Sequence, residues 1–98
     1  MTSSHDKIQE VARMIEDSRR AFYTLEQSKL VQFSRVQFMY LQAAEYKLAR
    51  VELQTKDFVK ALDDLMDAYN YVALLVDSLL KDKKVIYDTT AQKLVITQ

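Results

Sequence analysis

Glycine, proline and cysteine are all absent from this chain of 98 residues. Without glycine no residue takes positive φ free of a Cβ clash, and without proline none presets a turn. Sandwiches and barrels built of many short strands need such turns at every corner, whereas long helices do not. The bias therefore favours an all-α chain. Missing cysteine removes a disulfide framework and any thiolate metal site, though it leaves the redox compartment open. No window approaches about 18 uninterrupted apolar residues, so no membrane span is expected. The opening MTSSHDKIQEV lacks the basic-then-apolar order of a secretory signal. A cytoplasmic protein without membrane contact is the expectation.

What is present suits a folded domain. Apolar residues make up 49% and charged residues 29% of the chain, a balance that disfavours disorder. Fourteen Lys and Arg offset fourteen Asp and Glu, so the global basic surplus of a nucleic-acid binder is missing. The charge is unevenly placed all the same. Asp57, Asp63, Asp64, Asp67 and Asp77 are offset only by Lys60 within 57–80, and the end of the chain is mildly basic.

Three helices are expected. Ser3, Ser4 or Asp6 can cap a first helix over 5–26, whose apolar positions run Ile8, Val11, Ala12, Ile15, Phe22 and Leu25. Ser28 and Lys29 fall on its apolar side and mark a turn. A second pattern, from Leu30 through Phe33, Val36, Tyr40, Leu41, Ala44, Leu48 and Val51, gives a helix over 30–53. One unbroken helix over both would extend roughly 70 Å, too long for a compact monomer. After polar Gln54 to Asp57, where Thr55 or Asp57 can cap, a third helix over 57–81 is expected. Its inward stripe is read as Phe58, Leu62, Leu65, Tyr69, Val72, Val76 and Leu79, widened by Ala61, Ala68 and Leu75. The β-rich runs Val85 to Tyr87 and Leu94 to Thr97 then read as a hairpin. The expected architecture is an antiparallel three-helix bundle over 1–84 with a C-terminal β-hairpin tail over 85–98.

The stretch DDLMD at 63–67 matches the aspartate-rich pattern with which isoprenoid synthases hold magnesium and diphosphate. The wheel places Asp63, Asp64 and Asp67 largely opposite the inward stripe, with no second acidic motif and too short a chain to enclose a prenyl group. A solvated face is the expectation, and no metal or cofactor site is assigned. His5 is the single histidine, expected on a frayed end, and neither a di-iron motif nor a catalytic triad can be assembled around it. No glycine-rich phosphate loop exists. No catalytic residue is assigned, and an enzyme is not expected.

The aromatic residues carry a stronger signal. Phe22, Tyr23, Phe33, Phe38, Tyr40 and Tyr46 cannot share one inward stripe. The second helix therefore bears apolar groups around most of its circumference, either because two neighbours wrap it or because it forms an oligomer interface. The interface residues expected on this basis are Phe33, Val36, Phe38, Met39 and Tyr40. Val85, Tyr87, Leu94 and Ile96 join them from the hairpin, which needs a cover or an added strand to be stable.

The run over 43–80 has the form of a helical hairpin, with Ala44, Tyr46 and Ala49 on one helix. A Lys-Asp-Phe turn with Asp57 and Phe58 follows, then Ala61, Leu65 and Ala68 on the next helix. It resembles a small archaeal helical domain of unknown function, and more distantly HEPN-superfamily and tetratricopeptide-like hairpins. The resemblance implies a helical fold. The HEPN ribonuclease pattern, Arg followed by His, is missing because His5 precedes every arginine, so nuclease chemistry is not implied. Lys56 stands where the archaeal turn has glycine. The favoured function is a non-enzymatic interaction or assembly module that binds a second copy of itself or another protein. The alternative is a nucleic-acid-associated regulator using Arg13, Arg19 and Arg20, or Lys81, Lys83, Lys84 and Lys93.

Overall fold

A computed structural model describes residues 4–54 and 56–97. Three helices are followed by an antiparallel pair of strands: α1 (Ser4–Gln27), α2 (Arg35–Leu53), α3 (Phe58–Lys81), β1 (Val85–Asp88) and β2 (Lys93–Ile96). The expected bundle with a hairpin is what the chain forms. Ser3 and Thr55, two of the candidate caps, lie outside the described residues. Asp57 caps α3, its side chain accepting a hydrogen bond from the Lys60 amide at 3.1 Å.

α2 begins at Arg35 rather than at residue 30, and the reason is a capping box. Ser34 is the N-cap, its Oγ accepting from the Gln37 amide at 3.2 Å, while Gln37 Oε1 accepts from the Ser34 amide at 2.9 Å. The reciprocal pair satisfies two donors that a helix start leaves open. The connection over 28–34 is longer than a short turn, and it contributes Val31 to the core.

The core has two parts of different character. At one end Ile8, Ala12 and Ile15 of α1 meet Leu48 and Val51 of α2 and Ala61, Leu65 and Ala68 of α3. The small residues let the helices approach closely there. At the other end Val31, Leu41, Leu75, Leu79 and Val85 form a second cluster, surrounded by Phe22, Phe33, Phe38, Tyr40, Leu94 and Ile96. α3 is thus turned relative to the expected stripe. Its buried apolar positions are Ala61, Leu65, Ala68, Leu75 and Leu79, while Phe58, Leu62 and Tyr69 are exposed. The expectation weighted large residues over alanines, but tight packing against two neighbours selects the small ones.

Gln37 joins three elements and is fully buried, at 0% exposure. Besides its cap bonds, Nε2 donates to Ser78 Oγ at 3.0 Å and to Asp82 Oδ2 at 2.8 Å, and Oε1 accepts from Lys84 Nζ at 2.9 Å. The start of α2, the end of α3 and the entry to the hairpin are held by this one amide.

Turns are made without glycine. Lys29, Lys83 and Gln92 take positive φ at 61°, 59° and 54°. At the end of α3 the Lys84 amide donates to Leu79 O at 2.9 Å and the Lys83 amide to Leu80 O at 3.1 Å. That is a Schellman cap with lysine in the position usually held by glycine. In the hairpin loop Asp88 Oδ1 accepts from the amides of Thr90 and Ala91 at 2.9 and 3.1 Å, which stabilises the turn before Gln92. The register pairs Val85 with Ile96 and Tyr87 with Leu94, so these four share one face of the hairpin.

Candidate interaction surfaces

The three sides of the bundle differ in chemistry. Between α1 and α2 runs a groove of about 530 Å³ whose lining includes Arg13, Glu16, Arg19, Arg20, Glu45 and Glu52. Glu16 organises it. Arg19 Nε donates to both of its carboxylate oxygens at 3.1 and 3.2 Å, and Arg20 Nε donates to Oε1 at 3.0 Å. Glu45 lies 3.9 Å from Arg19. The Arg19 hydrogen bonds, followed by those from Arg20, hold the Glu16 carboxyl below its ordinary pKa against the opposing effect of burial. Arg19 is correspondingly raised, chiefly by its bond to Glu16. Two of the guanidiniums that a phosphate-binding reading requires are therefore already engaged by one carboxylate.

Between α2 and α3 lies a row of ion pairs. Lys47 Nζ sits 3.1 Å from Asp67 and 3.7 Å from Asp64, and Arg50 Nε is 3.3 Å from Asp64. Asp64 is only 6% exposed, which corrects the expectation that this carboxylate faces water. Asp64 and Asp67 of DDLMD point toward α2 because α3 is turned, and Lys47 and Arg50 engage them there, while Asp63 stays exposed. Arg50 also donates to Tyr46 Oη at 3.4 Å and lies 5.8 Å from its ring centroid. The Lys47 pKa is raised first by its hydrogen bond to Asp67, and that of Arg50 first by its bond to Tyr46 and then by the Asp64 charge.

The side formed by α1 and α3 is apolar. Asp64 and Asp67 fix the α2-facing flank of α3. The edge-to-face contact between His5 and Phe58, with ring centroids 5.8 Å apart, fixes the α1-facing flank. His5 is thus a packed residue of α1 rather than part of a frayed end. From this flank outward Val59, Leu62, Met66, Tyr69, Ala73, Val76 and Leu80 recur at alternating steps of three and four. All are exposed except Val76, which is half-buried. The seam spans about 32 Å of helix. Val59, Met66 and Tyr69 are its most open members at 66%, 56% and 61% exposure. Val11 and Met14 of α1 are also exposed, at 41% and 64%.

The residues expected at an interface distribute differently. Phe33, Phe38 and Tyr40 pack against the second core cluster, as do Leu94 and Ile96, and Val85 is a buried member of it at 2% exposure. These six come together inside the chain's own core. Val36, Met39 and Tyr87 remain exposed. Much of the apolar excess of α2 thus belongs to a helix wrapped by its neighbours. The α1/α3 face was missed because Leu62, Tyr69 and Val76 were counted as inward. A second three-four repeat, starting at Val59 and running beside the core stripe, was the signal in the sequence.

Comparison with family models, with curated proteins and with solved structures finds no match to this chain. Among the described residues no helix is long and apolar enough to cross a membrane.

Proposed function

We propose that this chain is a non-enzymatic protein-interaction module of the cytoplasm and that it docks its partner on the α1/α3 face. The observation that carries the reading is the uncharged seam of α3 from Val59 to Leu80, exposed along nearly its whole length. A helix facing water on one side ordinarily presents charged and polar groups there. An apolar strip of this length is retained where another surface covers it. Methionine and tyrosine at its centre are residue types that interface cores favour. The other two sides carry ion pairs made within the chain.

Affinity purification from the native host, with the full chain and its Met66→Glu variant as baits, tests this reading. The expected result is a binding protein, either another chain or untagged copies of this one, held by the first bait and lost from the second. Equal recovery by both baits removes the α1/α3 face as the docking surface.

A further inference from the structure

We infer that the α1/α3 face is covered by a second copy of this chain, in a two-fold dimer whose centre is the α3 seam; the assignment rests on the interaction reading above. Area is the first argument. Weighted by the fractional exposures of Val59, Leu62, Met66, Tyr69, Leu80 and Phe58, the seam presents on the order of 600 Å², most of the roughly 800 Å² per partner in a standard-size interface. The largest apolar patch of an ordinary monomer is about 300–600 Å².

Shape is the second argument. A straight row of side chains repeating by three and four fits another helix bearing the same repeat, since each residue of one row enters the space between four of the other. The seam supplies both parts of that fit. Met66 and Tyr69 are knobs, and Ala73 leaves a hole one turn away. A two-fold operation brings the large residues of one copy against the small residues of its mate, so one surface serves both sides.

Charge is the third. The chain has a formal net charge of zero, so two copies meet without long-range repulsion. Asp63 and Asp77 border the seam on the outer flank of α3, both exposed, and Asp77 is paired there with Lys81 at 3.1 Å. A mixed border of this kind differs from the run of unpaired lysine and arginine that an anionic lipid surface selects at that place.

Sedimentation equilibrium of the full chain over a micromolar series tests the assignment. The expected result is a reversible dimer, at least tenfold weaker for Met66→Glu and for Tyr69→Glu, with helical circular dichroism unchanged because both positions face outward. Met39→Glu, an equally open position on α2, keeps the dimer. The cysteine-free chain also allows a measurement that introduces no charge. The single thiol of Met66→Cys should react with a maleimide more slowly as protein concentration rises. A wild-type chain that stays monomeric, a dimer that survives both glutamate substitutions, or a thiol rate independent of concentration overturns the second-copy assignment. If that monomer still retains a host protein lost by Met66→Glu, the interaction reading stands without it. If it retains none, both fall.

Discussion

Among the described residues three, Lys29, Lys83 and Gln92, hold left-handed backbone without being glycine, and the cost of that choice is measurable. The αL region brings Cβ against the following carbonyl, at about 1–2 kcal/mol for an ordinary residue. Lys83 carries this cost at 59° in the Schellman cap of α3. Lys83→Gly relieves it, but glycine also gains freedom in the unfolded chain, which offsets part of the benefit. A net stabilisation of about 0.5–1 kcal/mol is expected, read as a rise of several degrees in the thermal midpoint. Gln37 works in the opposite sense. Gln37→Leu keeps the volume but strands the Ser34 amide and the Ser78 hydroxyl and removes the ties to Asp82 and Lys84. The expected loss is about 2–3 kcal/mol, by urea unfolding. At Glu16 the effect depends on pH. Its folded pKa lies below the ordinary 4.5, first because of the Arg19 hydrogen bond. Its contribution is therefore fully present above that value and is lost as pH falls through the lower folded one. With solvent screening, Glu16→Gln should cost less than about 1 kcal/mol at pH 7. The gap between the two proteins should narrow as pH falls below 4.5 and close as pH passes through the lower folded value.

At the scale of elements, the existence and type of every segment were legible. Helices need only periodicity, and the lack of Gly and Pro removed the competing architectures. Boundaries and facing were less legible. The capping box at Ser34 and Gln37 is written in the sequence, but an apolar pattern starting at Leu30 obscures it, and Val31 proves to be core without being helical. The turn of α3 was misread for a different reason. Two apolar stripes lie side by side on that helix, and only the helices packed against it decide which is buried. The burial of Asp64 follows from the same choice, since Lys47 and Arg50 lie on another helix. The hairpin gives a prediction at this scale. Its sequence suggests an association element whose removal leaves the helices intact, yet Val85, Leu94 and Ile96 complete the second core cluster. Deleting 84–98 exposes Leu75 and Leu79 and takes away the Lys84 bond to Gln37. A stability loss of several kcal/mol is expected from the apolar area uncovered. Denaturant midpoints of the truncated and full chains measure it, and equal midpoints would show that the hairpin only rests on the bundle.

Taken whole, the molecule is a slab of 45 × 31 × 21 Å in which the helices are not equally held. α2 and α3 share the largest contact, reinforced by the ion pairs of Lys47 and Arg50 and, at the far end, by Gln37 and Val85. α1 contributes only Ile8, Ala12 and Ile15 to the fully buried set, with Phe22 partly so. Its ties across to α2 outside that core are the Tyr23–Phe38 ring contact at 6.2 Å and the Arg19 contact with Glu45, at 3.9 Å and partly open to water. Local opening in proteins follows such differences in burial and bonding. α1 should therefore detach before the α2–α3 pair and hairpin unfold. In native-state hydrogen exchange at rising denaturant, amides of α1 should share one opening free energy, lower by about 1–3 kcal/mol than that of residues 65–79. Ile15→Ala, which leaves a cavity in the core cluster where α1 meets α2 and α3, should lower that α1 value by about 2–4 kcal/mol. The separation between the two groups of amides should widen with it. The seam on α3 lies beside α1, so the proposed pairing on the α1/α3 face would add a contact to the least secured helix. Raising protein concentration should then slow exchange in α1 more than in α2. If α1 and α3 instead exchange with one free energy in the wild type and in Ile15→Ala alike, the bundle opens as a single unit and the proposed order of unfolding is wrong.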